Sequence, residues 1–361
     1  MNKVWEVGSE FHWSDDYLAG PDARTNIALP QGVLFSRARG ALAALMQMRA
    51  TAGDTVRLHL PSYFCMDIAE YLAGAGEVRW YRHLPGQAVD FATLSPLPGD
   101  MVLALNMFGA ETGADWQQWS GRAQICLVED HSHDPFSAWA SASRADYAVT
   151  SLRKTLPIPD GALLWSPLDL PLPPTEPGHA DGANDKLAAM VLKAGYLRGA
   201  AIAKDAFRLL QIDGETKLDA DRGAPAHGFT RAVLSTIDLP RLRDRRACNN
   251  RLFAEALTQD PIAGVVQVFP VIPDSCVPFN PILRFASRER RDYVRRGLAE
   301  SGIFAPVHWP QEPAGFTSGD PEAMLLSERL LTIPLDFRCT PDDVVRVLTT
   351  LRRVAGVEAP L

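Results

Sequence analysis

Cysteine is scarce and follows no pairing pattern. The 361-residue chain has five, Cys65, Cys126, Cys248, Cys276 and Cys339, and none forms a C-x-x-C pair. An odd, scattered set fits reduced thiols in a cytoplasm and argues against a disulfide framework or a thiolate zinc site. Long apolar runs are lacking too. No stretch approaches the roughly 18–20 residues of a membrane span. The first residues carry Lys3, Glu6, Glu10 and His12 before Trp13, without the apolar core of a signal peptide. Positive charge is in deficit, with 36 Lys plus Arg against 43 Asp plus Glu and a net charge of −7. That balance argues against a general nucleic-acid binder, which would need a basic face. Neither G-x-x-x-x-G-K-[ST] nor G-x-S-x-G occurs, which removes a Walker-type phosphate loop and a serine nucleophile elbow. The Gly74-Ala-Gly76 triplet precedes a strand instead of joining strand to helix, so it is no dinucleotide fingerprint.

What is present is ordinary globular material: 47% hydrophobic and 22% charged residues, enough to bury a sizeable core. Ala38, Ala41, Leu42, Ala44, Leu45 and Met48 form an apolar stripe at helical spacing, and Gly53-Asp54 ends that helix. Strands are expected at 56–60, 78–81, 101–105, 125–128, 147–150 and 162–165, with a helix over 66–73. Strands alternating with helices predict an α/β layer structure with a mostly parallel sheet. Residues 167–185, rich in Pro, Gly and acids, read as a surface loop, and 187–210 as one or two helices. A long helical pattern from Ala232 to Leu257 contains Pro240, which should kink or restart it. It leads into a smaller domain with strands at 265–271 and 282–285 and helices at 288–301 and 341–354. Thr340-Pro-Asp-Asp343 supplies the last helix with an N-cap, a first-turn proline and first-turn acids. The expected division is 1–235 for the large domain, N-terminal segment included, and 236–361 for the small one.

Three segments carry candidate chemistry. Lysine is rare, with six in the chain, and Lys154 stands apart from the other five. It follows the apolar Tyr147-Ala-Val-Thr150 run and precedes an uncharged stretch. A lysine there loses hydration, which lowers its pKa and frees a nucleophilic amine for Schiff-base chemistry; a strand-end lysine snorkelling to water is the competing reading. Ile125-Cys-Leu-Val-Glu-Asp130-His-Ser-His133 ends a strand in acids and histidines, at the edge of an α/β sheet where ligands sit. A carboxylate there can hold a protonated pyridine nitrogen. Asp130, His131, His133 and Asp134 can equally ligate a metal, and Glu129 and Asp130 can simply cap the next segment. Phe35-Ser-Arg-Ala-Arg-Gly-Ala-Leu42 opens a helix with small residues and two arginines, suited to one phosphate group or to nothing beyond an ordinary capped start. His308 beside Trp309 is a substrate contact or a packed interface residue.

These pieces occur in a familiar order: Gly8-Ser-Glu-Phe11, Ser36-Arg-Ala-Arg-Gly-Ala-Leu42, Leu60-Pro-Ser-Tyr-Phe-Cys65, Leu105-Asn-Met-Phe-Gly109, Val128-Glu-Asp130-His-Ser-His133, Ser151-Leu-Arg-Lys154, Asp160-Gly161, Arg245-Arg-Ala-Cys-Asn249, Gly302-Ile-Phe-Ala-Pro306 and Leu331-Thr-Ile-Pro-Leu335. Order and spacing together resemble the DegT/DnrJ-type aminotransferases, fold type I pyridoxal-phosphate enzymes that often act on nucleotide sugars. The resemblance spans nearly the whole chain. It implies a mostly parallel central sheet sandwiched by helices, with a smaller C-terminal α+β domain, in a homodimer; the cysteine pattern adds the expectation of a cytoplasmic location. It implies pyridoxal 5'-phosphate as cofactor, an amino-acid donor and a small-molecule keto acceptor, and neither nucleic acid nor membrane as partner. Lys154 matches the lysine that bonds the cofactor. Asp130 matches the acid on the pyridine nitrogen, and His133 the residue beside the phenolic oxygen. Ser151 matches a phosphate-binding serine, and Ala38 and Arg39 the helix-start pair whose amides hold that phosphate. The aromatic that stacks on the ring aligns with Cys65, so Tyr63 or Phe64 stands in. Two departures from the pattern are the short Ser–Lys spacing and the absence, near Ala226-His-Gly-Phe-Thr-Arg231, of an Asn-x-Arg element that reaches the neighbouring subunit. They keep open a non-transaminase reaction on the same cofactor and a non-catalytic binding or regulatory role.

Overall fold

Met101-Val-Leu-Ala-Leu105 has no polar side chain on either face, so it can sit only where both faces are covered. The computed structural model, which describes residues 4–20, 29–51, 56–312 and 315–356, puts this strand inside a seven-stranded sheet. In chain order the strands are β1 (Val7–Gly8), β2 (Val33–Phe35), β3 (Arg57–Pro61), β4 (Glu77–Tyr81), β5 (Met101–Leu105), β6 (Cys126–Asp130), β7 (Tyr147–Thr150), β8 (Ala162–Trp165), β9 (Val265–Gln267), β10 (Ile282–Phe285), β11 (Ile303–Phe304) and β12 (Leu330–Thr332). The large sheet has the order β2-β8-β7-β6-β5-β3-β4. Pairings from β4 through β7 are parallel, and β8 runs antiparallel to both its neighbours. Gly53-Asp54 lies outside the described residues.

The helices are α1 (Ala38–Thr51), α2 (Met66–Ala73), α3 (Ala114–Gln118), α4 (Ala138–Ser141), α5 (Asp181–Leu197), α6 (Lys204–Ala220), α7 (Gly228–Val233), α8 (Leu239–Gln259), α9 (Arg288–Glu300), α10 (Pro321–Arg329) and α11 (Pro341–Ala355). Strand alternation sorts the core into two layers. Leu103, Leu105, Val128 and Val149 face α1 and α2 through Leu42, Leu45, Met66 and Leu72. Val102, Ala104 and Leu127 face the opposite side with Trp116 and Trp139, while Ala148 and Leu163 pack there with Val233, Leu239 and Leu242. A separate core joins β10 and β12 to α9, α11 and the second half of α8 through Leu283, Leu331, Val294, Val347 and Phe253. Val7 belongs to this second core, because β1 pairs in parallel with β11. Pro240 restarts rather than kinks its helix: it occupies the first turn of α8, whose N-cap Asp238 accepts the Arg241 amide.

Candidate active site

Lys154 lies in a short 3-10 turn, Leu152–Lys154, directly after β7. That places it at the carboxyl ends of the parallel strands, the edge at which Asp130 terminates β6 and Asn106 follows β5. The Asn106 amide donates to the Asp130 carbonyl at 3.0 Å, and the Ser151 amide to the Ser132 hydroxyl at 2.9 Å. Asp130 is buried, and its Oδ1 accepts the Ser132 amide at 2.8 Å. The carboxylate thus caps its own loop while remaining the strongest anionic influence on Lys154. The lysine side chain keeps some exposure at a cavity wall, yet its amine is crowded by protein. Burial lowers its pKa; Asp130 and Cys65 oppose that shift, whereas Arg153 and Arg39 add to it.

His133 completes the cluster. Its Nε2 lies 3.4 Å from the Lys154 Nζ. The Phe108 amide donates to Nδ1 at 3.1 Å, so in the neutral ring Nε2 carries the proton. Burial, reinforced by Lys154, holds the ring well below the ordinary histidine range, which keeps it neutral. The donating amide is aimed by a tight turn in which Phe108 has φ 54° and Gly109 φ 72°. A Cβ on Gly109 would sit 2.9 Å from the His133 carbonyl oxygen, so this turn needs glycine. Phe108 and Trp309 lie nearly parallel to the His133 ring, with centroids at 5.6 and 5.5 Å. Next to it Asp134 is fully buried and accepts from Arg243, Arg246 and the Val277 amide, which locks the loop to α8.

The metal arrangement permitted by the local sequence is not assembled. Successive residues at the end of β6 alternate between faces, so His131 turns away from Asp130 to meet Glu129 at 3.0 Å and to pack on Trp139 and Trp165. Among the described residues no group of three or more His, Cys, Asp or Glu side chains is placed to hold a metal ion.

Ala38 and Arg39 begin α1, whose first amides have no partner within the helix. Arginine charge at this start is already committed. Arg37 pairs with Glu215 and Asp219 at 2.8 and 2.7 Å, and Arg39 with Asp219 at 2.9 Å. A Cβ on Gly40 would approach the Arg222 carbonyl oxygen to 1.9 Å, so this turn of α1 packs against the 222–223 backbone. Tyr63 and Phe64 are buried in the large core. The Tyr63 hydroxyl donates to the His308 carbonyl, and the Phe64 carbonyl accepts from Gln311. The member of that turn electrostatically coupled to Lys154 is Cys65. Trp309 turns its ring toward the amine, with Nζ 5.7 Å from the ring centroid. In place of an Asn-x-Arg element, the 226–231 segment folds on itself and on Asp160, which accepts from the His227 amide and the Thr230 hydroxyl; Arg231 donates to the Ala226 carbonyl.

A cavity of about 410 Å³ opens beside Lys154. His308 lines it, with Nδ1 2.8 Å from the Thr332 hydroxyl; burial lowers its pKa to about 3, with Lys154 contributing. Sequence reasoning missed two members of this wall. Glu215 lies on α6, where its neighbours Asp213, Lys217 and Asp219 give the look of a solvated face. Arg246 is one of many arginines on α8, and only its burial singles it out.

No protein-family model matches the sequence, and no curated protein matches it. Solved structures do. The Streptococcus pneumoniae protein Spr1654, assigned as a sugar aminotransferase and solved in its PLP form, superposes with a TM-score of 0.64 at 15% identity, covering 98% of this chain and 99% of that one. PseC of Helicobacter pylori, an aminotransferase involved in pseudoaminic acid biosynthesis, gives 0.62 at 12% identity over 98% and 100%. A DegT DnrJ EryC1 StrS aminotransferase from Brucella abortus gives 0.58 at 14% identity over 91% and 87%. The likeness establishes the fold. The chain has the fold type I architecture expected from its sequence.

Proposed function

We propose that the protein is a pyridoxal-phosphate-dependent aminotransferase that moves an amino group from an amino-acid donor to a keto acceptor, working as a cytoplasmic homodimer. The observation that carries this reading is the Lys154 amine, its pKa lowered by burial, beside Asp130 and His133 at the carboxyl edge of a parallel sheet. Spr1654 is described in PLP and PMP forms, and DesI in the presence of its TDP-sugar product; these support the cofactor and leave a sugar among the candidate acceptors. The residues present fit the cofactor by their chemistry: a buried carboxylate, Asp130, acts on the amine, and the first amides of α1 lack a partner within the helix; of the residues assigned to the cofactor, Lys154 is the one that also lines the cavity of about 410 Å³. Lys154 would hold the aldehyde carbon, Asp130 the ring nitrogen, and Ser151 with the Ala38 and Arg39 amides the phosphate. When bound, pyridoxal phosphate supplies an electron sink for charge left on the donor carbon.

This chain's own residues would then manage protons. Lys154, once free, is a base with a lowered pKa, able to take a proton from the donor carbon and return it elsewhere. Asp130 would hold a proton on the ring nitrogen through a charge-assisted bond. His133, neutral and with its Nε2–H fixed by the Phe108 amide, donates a hydrogen bond without adding charge. Cys65 and Trp309, which act on or face the amine, would cover the cofactor. The test is visible spectroscopy of the purified protein with pyridoxal phosphate. A band of the cofactor bonded to a protein amine is expected near neutral pH, lost in Lys154→Ala, and bleached by a competent amino donor. A wild type indistinguishable from Lys154→Ala would sink the reading.

A further inference from the structure

Two arginines sit one residue ahead of groups assigned to the cofactor. Arg37 precedes Ala38 and Arg39 at the start of α1, and Arg153 precedes Lys154 in its 3-10 turn. Both reach one carboxylate on α6. Glu215 receives a fork from Arg153 at 2.8 and 2.9 Å and a bond from Arg37 at 2.8 Å. Lys186 of α5 comes within 3.1 Å of its Oε2. Glu215, Arg153 and Lys186 all line the cavity at Lys154.

The two elements also share a backbone neighbour. The Gly161 amide donates to the Ser36 carbonyl at 2.8 Å, and the Gly161 carbonyl accepts the Arg153 amide at 3.4 Å. The lysine side of that link is the longer one, and the Glu215 fork reinforces it. The carboxylate also stands between two like charges. Burial lowers the Arg37 pKa to about 10 and Arg153 adds to the shift, while Glu215 and Asp219 oppose it. The Lys154 amine feels the same guanidinium. Burial leads the lowering of its pKa; Arg153 and Arg39 add to it, and Asp130 and Cys65 oppose it. His133 and His308, which also feel the amine, are held neutral. An anion that balances Arg153 therefore limits how far the amine is weakened as a base.

We propose that Glu215 is a positioning residue for Lys154: through Arg153 it ties the turn of the reacting lysine to the start of α1 and balances the positive charge beside the amine. The inference rests on the aminotransferase reading and adds to it a residue that acts through another. The two parallel bonds of the fork fix the plane of the Arg153 guanidinium, and with it the entry of the turn that presents the amine. With Arg153 balanced, the free amine stays basic enough to take a proton from the donor carbon. With Arg153 unbalanced, it is a weaker base on a turn held by the long Gly161 bond.

The experiment reads the amine itself, in the full chain without cofactor. The rate at which trace acetic anhydride acetylates Lys154, followed by peptide mass over a pH series, gives the pKa of its amine. Glu215→Gln should lower that value by about one pH unit, the size of one uncovered charge at short range. Glu215→Asp keeps the charge but draws it back by one carbon, and should show about a third of that shift. Arg153→Gln should raise the value. In the Arg153→Gln background, either Glu215 change should lose more than half of its effect, because Arg153 transmits it. If Glu215→Gln fails to fold, Glu215→Asp decides by the same reading, alone and combined with Arg153→Gln. A purely structural Glu215 would lower the urea midpoint and leave the amine's pKa in place. That result, or a shift of full size without Arg153, overturns the proposal. The cofactor band separates the two claims. A shifted amine with no band on adding pyridoxal phosphate sinks the aminotransferase reading alone. A normal band with the amine's pKa unmoved in the Glu215 variants sinks the positioning role alone.

Discussion

Glu215 carries much of the charge balance around the site. Its carboxylate meets Arg37, Arg153 and Lys186 within 3.1 Å. Burial would raise its pKa, but Arg153, Lys186 and Arg37 together hold it far below the ordinary carboxylate range. Glu215→Gln should therefore leave the half-buried Arg153 without its counter-ion and the buried Arg37 with Asp219 alone. Loss of one partner from such a network costs about 3–5 kcal/mol when fully buried; with the Glu215 side chain 36% exposed, solvent screening reduces this to about 2 kcal/mol. Urea denaturation at pH 7 measures it, with Lys217→Ala, a surface partner of Asp185, as a control that leaves the midpoint in place. An unshifted midpoint in Glu215→Gln would show that the cations are satisfied by water. Lys154 was legible in the sequence because, with Arg153 before it, it closely follows an apolar strand and opens an uncharged run. Glu215 was not, because a carboxylate flanked by Asp213, Lys217 and Asp219 on a helix looks the same whether it faces water or three cations.

Helix α11 shows what local chemistry can specify. Thr340 accepts the Asp343 amide at 3.2 Å, and the Asp343 side chain returns a bond to the Thr340 amide at 2.8 Å. Thr340→Ala removes one half of this capping box and should cost about 1 kcal/mol, read as a lowered midpoint of thermal or urea unfolding with the visible spectrum of the holoenzyme unchanged. A larger loss would mean that the N-terminus also anchors Trp5, whose indole donates to Asp343 at 2.7 Å. The same local logic anticipated β3 to β8, α1, α2, α9 and α11 close to their observed limits. It also put a restart at Pro240. It overextended β9, whose register with β10 ends at Gln267 and is followed by a single further bond, from the Val268 amide to the Ile282 carbonyl at 3.0 Å. Helix α10 and strand β12 went unread although Asp320-Pro321 is a fair start signal; the Asp320 carboxylate caps α10 and also receives Arg82 and Ser62 from the large sheet. Contacts of that kind, some 240–260 residues apart in the chain, are where local pattern ends and tertiary packing begins.

At the scale of the molecule, two cores are stitched together by groups that must stay uncharged or paired. Helix α8 joins them, giving Leu239 and Leu242 to one and Phe253 and Leu257 to the other, while Arg243 and Arg246 fasten it to the Asp134 loop. Three buried or half-buried histidines lie along this seam and are neutral. His133 is held far below its ordinary range, His308 is lowered to about 3, and His12, packed under the N-terminal segment against Tyr17, is lowered to about 4; burial is the leading cause in each. A histidine whose folded pKa lies below its unfolded value binds more protons when unfolded. The stability it contributes is thus complete above the unfolded value near 6.5 and is lost as pH falls toward the folded one. Each such group withdraws about 1.4 kcal/mol per pH unit across that window. Glu215, Glu6 and Asp336, all lowered, extend the same trend further into acid. Unfolding free energy should consequently be flat from pH 8 to 7 and fall steeply between pH 6.5 and 4.5, by several kcal/mol. Urea titrations at half-unit pH steps check this, and His12→Gln should flatten the slope by about one histidine's share while the Lys154 site is untouched. A stability curve level down to pH 5 would mean that these rings are hydrated, and with them the cavity on which the proposed chemistry depends.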